Sequence, residues 1–144
     1  MTYKSCCPGG FSLYILSKNP NAYGVPVSRG GHSFLIEKDL QLHLDLHLAD
    51  ITTCQLGAYQ HPNLQSLPSS FITYTFDLVL LNGHPLRTPE PDRLAPLNNI
   101  SDRLLISQLI IGVQSVSPFG TIVIKPWKPD KPITAKSLYL FDSI

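Results

Sequence analysis

A chain of 144 residues with 43% hydrophobic and 15% charged side chains is the size of one domain and buries a core without disulfide staples. Its net charge of +1 excludes a global electrostatic footprint of a nucleic-acid binder, so such a role needs a local basic patch. Three cysteines, two of them adjacent, do not make a secreted disulfide framework. The longest apolar run, Leu104 to Val113, is broken by Ser107 and Gln108 and is too short to span a bilayer. Met1 to Ser5 lead into Cys6-Cys7-Pro8 with no apolar signal region. The expected setting is therefore reducing and intracellular, with no membrane partner.

In chain order, Gly9-Gly10 opens a helix from Phe11 to Ser17, which Asn19-Pro20-Asn21 stops. Ala22 to Val27 reads as a short strand in which Pro26 is an odd guest, because it cannot donate to a ladder. Arg29-Gly30-Gly31 is a turn, and His32 to Lys38 a short helix. Leu40 to Leu48 alternates: Leu40, Leu42, Leu44, Leu46 and Leu48 face one way, Gln41, His43, Asp45 and His47 the other. This predicts an edge strand with one dry and one wet face. Residues 51 to 70 are a loop with one helical turn. Phe76 to Leu81 is an unbroken apolar run, as a central parallel strand requires, and a proline-rich loop follows. From Ser101 the residues Leu104, Leu105, Gln108, Leu109, Gly112, Val113 and Val116 give a helical period, with Asp102 near the positive end of the dipole. Pro118 to Gly120 is a turn, Thr121 to Lys125 a buried strand, and Ser137 to Phe141 a last strand. Alternation of helices and strands predicts an α/β fold with helices crossing between parallel strands.

Several strand ends carry chemistry. A Pro-Gly-Gly loop opening a helix lets a ligand approach the backbone and offers it the unsatisfied first amides. Asp50 follows the Leu/His strand and could accept from an exocyclic amine such as that of adenine; as a plain turn or helix cap it would be equally ordinary. Phe76 to Pro85 is a strand ending in polar residues, and Phe119 to Trp127 contains a strand ending in a lysine.

Together Cys6-Cys7-Pro8-Gly9-Gly10-Phe11-Ser12, Leu48-Ala49-Asp50-Ile51-Thr52, the strand Phe76 to Leu81 with Asn82-Gly83, and the helix from Leu104 leading to Gly120-Thr121-Ile122-Val123-Ile124-Lys125 resemble the FtsJ-like family of S-adenosylmethionine-dependent RNA 2′-O-methyltransferases. The resemblance runs from about Ser5 to Phe141, as one domain over residues 1–144. It implies a Rossmann-like, doubly wound, mostly parallel sheet with helices on both faces. The first strand would be shortened to residues 2–6 or missing, as in an N-terminally truncated domain. It implies S-adenosylmethionine held by Cys7, Pro8, Gly9, Gly10, Phe11, Asp50 and Ile51, with RNA as substrate. Of the family's Lys-Asp-Lys-Glu set, Lys125 matches the catalytic lysine. Asn82 stands at the aspartate position and Ser137 at the glutamate position, and the first lysine has no counterpart. A non-catalytic descendant acting as a binding or interaction module is the rival expectation.

Other clusters have plainer readings. His43, Asp45 and His47 share a strand face, which is more often solvated than metal-bound; no metal is expected. Cys7 precedes a helix N-terminus but lacks a histidine context, and Ser12 lacks the setting of a hydrolase nucleophile. Lys125, Lys128, Lys131 and Lys136 with Trp127 form a basic-aromatic patch that could track an RNA backbone or be a solvated loop.

Overall fold

The structure, a computed structural model, describes residues 10–29, 38–54, 63–84, 97–126 and 129–142. Helix α1 (Gly10–Lys18) forms where the glycine pair predicts it, burying Leu16 and ending with Lys18 at the negative pole of its dipole. The chain reverses there because Asn19 accepts twice: its carbonyl takes the Ala22 amide at 3.0 Å and its side chain the Asn21 amide at 3.2 Å.

The next strand, β1 (Val27–Ser28), is shorter than predicted, and Pro26 is the reason. Gly24 both donates to His43 and accepts from Asp45, and Ser28 accepts from Ala49. Pro26 accepts from His47 but has no amide to give. The ladder thins to one bridge, Gly24 to Leu44, and two paired residues in parallel with β2 (His47–Leu48).

Two predicted strands are corrected. Leu40 to Leu48 is not one strand: Lys38–Gln41 is helix α2, turn bonds from His43 to Leu40 and Leu44 to Gln41 close it, and only His47 and Leu48 join a sheet. Its supposed dry face is wet, with Leu42 84% and Leu48 58% exposed. Leucine alternates well but is a better helix former than strand former, so the pattern did not fix the state. The stretch Ser137 to Phe141 lies inside helix α4 (Pro132–Asp142). Pro132 takes the first helical position, where its missing amide costs nothing, and the Lys131 carbonyl accepts from Thr134 and Ala135. Leu138, Tyr139 and Leu140 remain at least half exposed, so no sheet contact overrides the helix propensity of Ala135, Lys136 and the leucines. The expected helix at residues 32–38 and the expected first strand at residues 2–6 lie outside the described residues.

The best-formed unit is β3 (Phe76–Leu81), helix α3 (Leu97–Ser115) and β4 (Val116–Ile124), a parallel strand pair joined through a crossover helix. Helix α3 enters β4 with no intervening loop, and the predicted turn at Pro118–Gly120 is absorbed as a bulge: Asp77 alone stands opposite Ser117 to Gly120. Ser117 donates to the Asp77 carboxylate at 3.1 Å, and Phe119 takes a positive φ of 66° at the fully exposed tip.

Helix α3 turns Ser107, Gln108, Ile111, Gly112 and Ser115 inward, a helical stripe of mostly small side chains. Gly112 allows the approach to β3, since a Cβ there would stand 3.0 Å from Leu81. Val113, expected on this face, is 45% exposed. A 3₁₀ turn (Ser69–Ile72) packs on α3, with Phe71 buried and tilted against Phe76 at 5.5 Å.

The result is an α/β chain with parallel pairing. Among the described residues the strands form two two-stranded sheets, β1–β2 and β3–β4, and β3 pairs on one side only. No described helix is long and apolar enough to cross a membrane.

Candidate functional site

Each of the two strand pairs ends in polar residues that follow its last paired positions. At β3–β4 the last paired residues are Leu81 and Ile124, and the Lys125 amide then donates to the Leu81 carbonyl at 2.9 Å. Asn82 and Lys125 therefore leave neighbouring strand ends side by side. Side chains alternate along a strand, and Leu81 faces Gly112 of α3, so Asn82 and Lys125 start on the opposite face.

The turn after Asn82 is held by a residue the sequence did not single out. Gln108, buried on α3, accepts from the Gly83 amide at 2.7 Å and donates to the Gly83 carbonyl at 3.1 Å, with a further bond to the Leu104 carbonyl at 3.3 Å. Its carboxamide acts as a third strand's peptide would, satisfying the first backbone groups beyond the ladder. A Cβ on Gly83 would stand 2.9 Å from that carboxamide and would push it off the Gly83 backbone. The helical period of α3 contained Gln108, but its partner is 25 residues upstream and no local pattern joins them.

A small cavity of ≈ 30 Å³ opens beside these strand ends, lined by Gly83, Ser101, Gln108, Lys125, Pro126 and Thr134 among others. That volume holds a water molecule or two. Lys131, just ahead of α4, pairs with Asp102 of α3 at 3.6 Å across its mouth, and Asn82 does not line it.

At β1–β2 the two strand ends carry Arg29 and Asp50. The Asp50 carboxylate closes its own turn, accepting the Thr52 amide at 3.0 Å and the Thr52 hydroxyl at 2.6 Å on Oδ1, while Oδ2 meets Arg29 Nε at 3.3 Å. The Asp50 carbonyl accepts the Thr53 amide and hydroxyl, each at 2.9 Å, and the Cys54 thiol at 3.4 Å. Burial, and secondarily the Asp50 charge, push the Cys54 thiol above its ordinary value. Arg103 of α3 donates to the Thr52 carbonyl at 3.2 Å, which ties this end to the helix that borders Lys125.

The sequence-derived site residues are thus partly brought together. Asn82 and Lys125 follow the adjacent ends of β3 and β4, while Asp50 and its half-buried neighbour Ile51 follow β2, and the Arg103–Thr52 bond ties that turn to α3. Gly10 and the half-exposed Phe11 open α1, with open space where a Gly10 Cβ would point, and no recorded bond links them to Asp50 among the described residues. Cys6, Cys7, Pro8, Gly9, Trp127 and Lys128 lie outside the described residues. Ser137 bonds back to the Ile133 carbonyl at 2.8 Å within α4, and Lys136 sits with Tyr139 and Leu140 in a shallow surface depression apart from the Lys125 cavity. His43, Asp45 and His47 fall on a turn, a connecting residue and β2, and among the described residues no three metal-ligating side chains assemble.

Fold and site together define an α/β domain that gathers polar groups at the carboxyl ends of parallel strands, the usual ligand edge of such sheets. No protein-family model, curated protein or solved structure matches the chain.

Proposed function

We propose that the chain is a Rossmann-like, FtsJ-like methyltransferase domain that binds S-adenosylmethionine and directs its methyl group to a ribose 2′-hydroxyl of RNA. The observation that carries this reading is the placement of Asn82 and Lys125 directly after the last paired residues of two adjacent parallel strands, with the Asp50 turn tied to the intervening helix α3 through Arg103.

The donor set suits that cofactor. Two of the four acceptor positions on the Asp50 carboxylate serve Thr52 and one serves Arg29, which leaves one for an adenine amine. The first amides of α1 and the open space at Gly10 would take the opposite end. The bound cofactor would supply an electrophilic methyl group. The chain's own part is to place the ribose hydroxyl beside Lys125, whose ammonium favours the developing alkoxide, and to exclude other geometries. Asn82, at the family's aspartate position, would offer a hydrogen-bond acceptor there without the charge of a carboxylate. In a radiolabel transfer assay on RNA, Lys125→Ala is expected to lower turnover by about 100-fold or more. Equal transfer by the variant removes Lys125 from the mechanism.

A second reading, a non-catalytic interaction module of the same descent, is favoured by one specific observation. Ser137 is engaged within α4, and the start of α4 borders a cavity of only ≈ 30 Å³ beside Lys125. Calorimetry with S-adenosylhomocysteine separates the two from a chain that binds no cofactor at all; transfer activity separates them from each other.

A further inference from the structure

Arg29 stands where the proposed cofactor's ribose would be read. In a doubly wound sheet the glycine loop opens a helix, and the strand that follows carries at its carboxyl end, about 20 residues on, the acid that accepts the ribose hydroxyls. Here α1 opens at Gly10, the following strand is β1, and the residue after its last position is Arg29. The register fixes which way Arg29 faces its neighbours: Ser28 pairs with Leu48, the Ala49 amide donates to the Ser28 carbonyl at 2.9 Å, and the Arg29 guanidinium crosses to Asp50 at 3.3 Å.

Two physical consequences follow. A guanidinium has donors only, so it gives a ribose diol nothing to donate to. It also sits on Oδ2 of Asp50, the oxygen that carries the one acceptor position left for the adenine amine, and so competes with that amine. The pair is exposed on the arginine side (67%), so it is weak and displaceable, and Arg29 is not holding the fold together.

We propose that Arg29 is a specificity-determining residue that sets this site against S-adenosylmethionine: it removes the ribose acceptor and competes for Asp50, so an acid at position 29 turns a weak nucleoside site into a tight one. This rests on the cofactor reading above, and the chain as it stands binds the cofactor less well than its strand-end geometry would allow.

The test is calorimetry of S-adenosylhomocysteine, adenosine and 2′-deoxyadenosine with the full chain and with Arg29→Ala, Arg29→Glu and Asp50→Asn, each checked for an unchanged circular dichroism spectrum. Arg29→Ala is expected to tighten S-adenosylhomocysteine by a few-fold through release of Asp50. Arg29→Glu is expected to tighten it about tenfold or more, because a carboxylate accepting from a hydroxyl is among the stronger hydrogen bonds. The gain of Arg29→Glu over Arg29→Ala should hold for neutral adenosine and vanish for 2′-deoxyadenosine, which separates a ribose contact from attraction for the cofactor's ammonium. Asp50→Asn should weaken all three. Binding of wild type and Arg29→Glu with equal affinity, or an excess of Arg29→Glu over Arg29→Ala that the 2′-deoxy compound retains, overturns the role of Arg29 and leaves the cofactor reading standing. An absence of heat with every variant overturns both.

Discussion

The clamp of Gln108 on Gly83 makes a prediction whose size follows from the geometry. A methyl group added at Gly83 meets the end of a flexible side chain, not backbone, so the steric clash alone is cheap to relieve. Relieving it means moving the carboxamide away, which breaks the 2.7 and 3.1 Å bonds it makes to the same residue. At roughly 0.5–1 kcal/mol net for each bond, the lower part of the usual range because the adjoining cavity can supply water to the freed groups, Gly83→Ala should cost about 1–2 kcal/mol. In thermal terms that is a fall of about 3–7 °C in midpoint for a chain of this size. Gln108→Ala should cost somewhat more, because buried methylenes are lost as well. The informative measurement is the cycle. In a Gln108→Ala background nothing remains for the Gly83 methyl to displace, so Gly83→Ala should then be nearly free, a coupling of about 1–2 kcal/mol. Urea unfolding followed by circular dichroism on the four chains gives that number. Strict additivity would mean the carboxamide does not hold the strand end.

Three further outcomes are expected. Gly120→Ala should cost more than Gly83→Ala, about 2–3 kcal/mol by urea unfolding. Its Cβ would stand 2.6 Å from Val116, 2.9 Å from the Ser117 carbonyl and 3.1 Å from the Asp77 carbonyl, and backbone cannot step aside. In a Cys6→Ser, Cys7→Ser chain, Cys54 should alkylate more slowly than a free thiol, since burial and Asp50 both disfavour its thiolate. By the same cause its folded-state value lies above the unfolded one, so the folded chain keeps a proton that the unfolded chain sheds. The stability linked to it is whole below the ordinary thiol value of 9.0 and is lost as pH rises through it; Cys54→Ala should flatten that alkaline loss in unfolding experiments.

Where the sequence was legible, one physical factor dominated. Phe76 to Leu81 is a stretch of strand-forming residues, apolar but for Asp77 and bounded by Asn82-Gly83, and its propensity is met by pairing with β4, although among its residues only Leu81 is buried, short of the central strand expected. Helix α3 is long enough for its period to show, although its start at Leu97 precedes the expected Ser101. The failures lie where the factors split. Leu40 to Leu48 and Ser137 to Phe141 are leucine-rich stretches with little burial to choose between states, so local helix propensity and Pro132 decide. The site divides the same way. Asn82 and Lys125 were readable as strand ends. The Gln108–Gly83 clamp and the Arg29–Asp50 pair required the register of α3 on β3 and of β1 on β2, which no single segment encodes.

The charge at the strand-end edge bears on what this side of the molecule meets. Among the described residues four cations follow the strand ends or flank α3 beside them, Arg29, Arg103, Lys125 and Lys131. Asp50 pairs with Arg29 and Asp102 with Lys131, which leaves Arg103 and Lys125 as an excess of two there among the described residues, on a chain whose net charge is +1. A local patch of that size is what a nearly neutral chain would need to hold an RNA backbone, and it sets the salt dependence. Two phosphates neutralised on a single strand give a slope of about −1.4 for log K against log salt. Anisotropy titrations of a short single-stranded RNA across ionic strength should find that slope. Arg103→Ala and Lys125→Ala should each reduce it by about 0.7. Arg29→Ala should change it little, because its charge is already answered by Asp50. A slope near zero would put the RNA elsewhere or nowhere on this chain, and a slope that Lys125→Ala leaves untouched would separate the proposed catalytic lysine from the substrate it is meant to face.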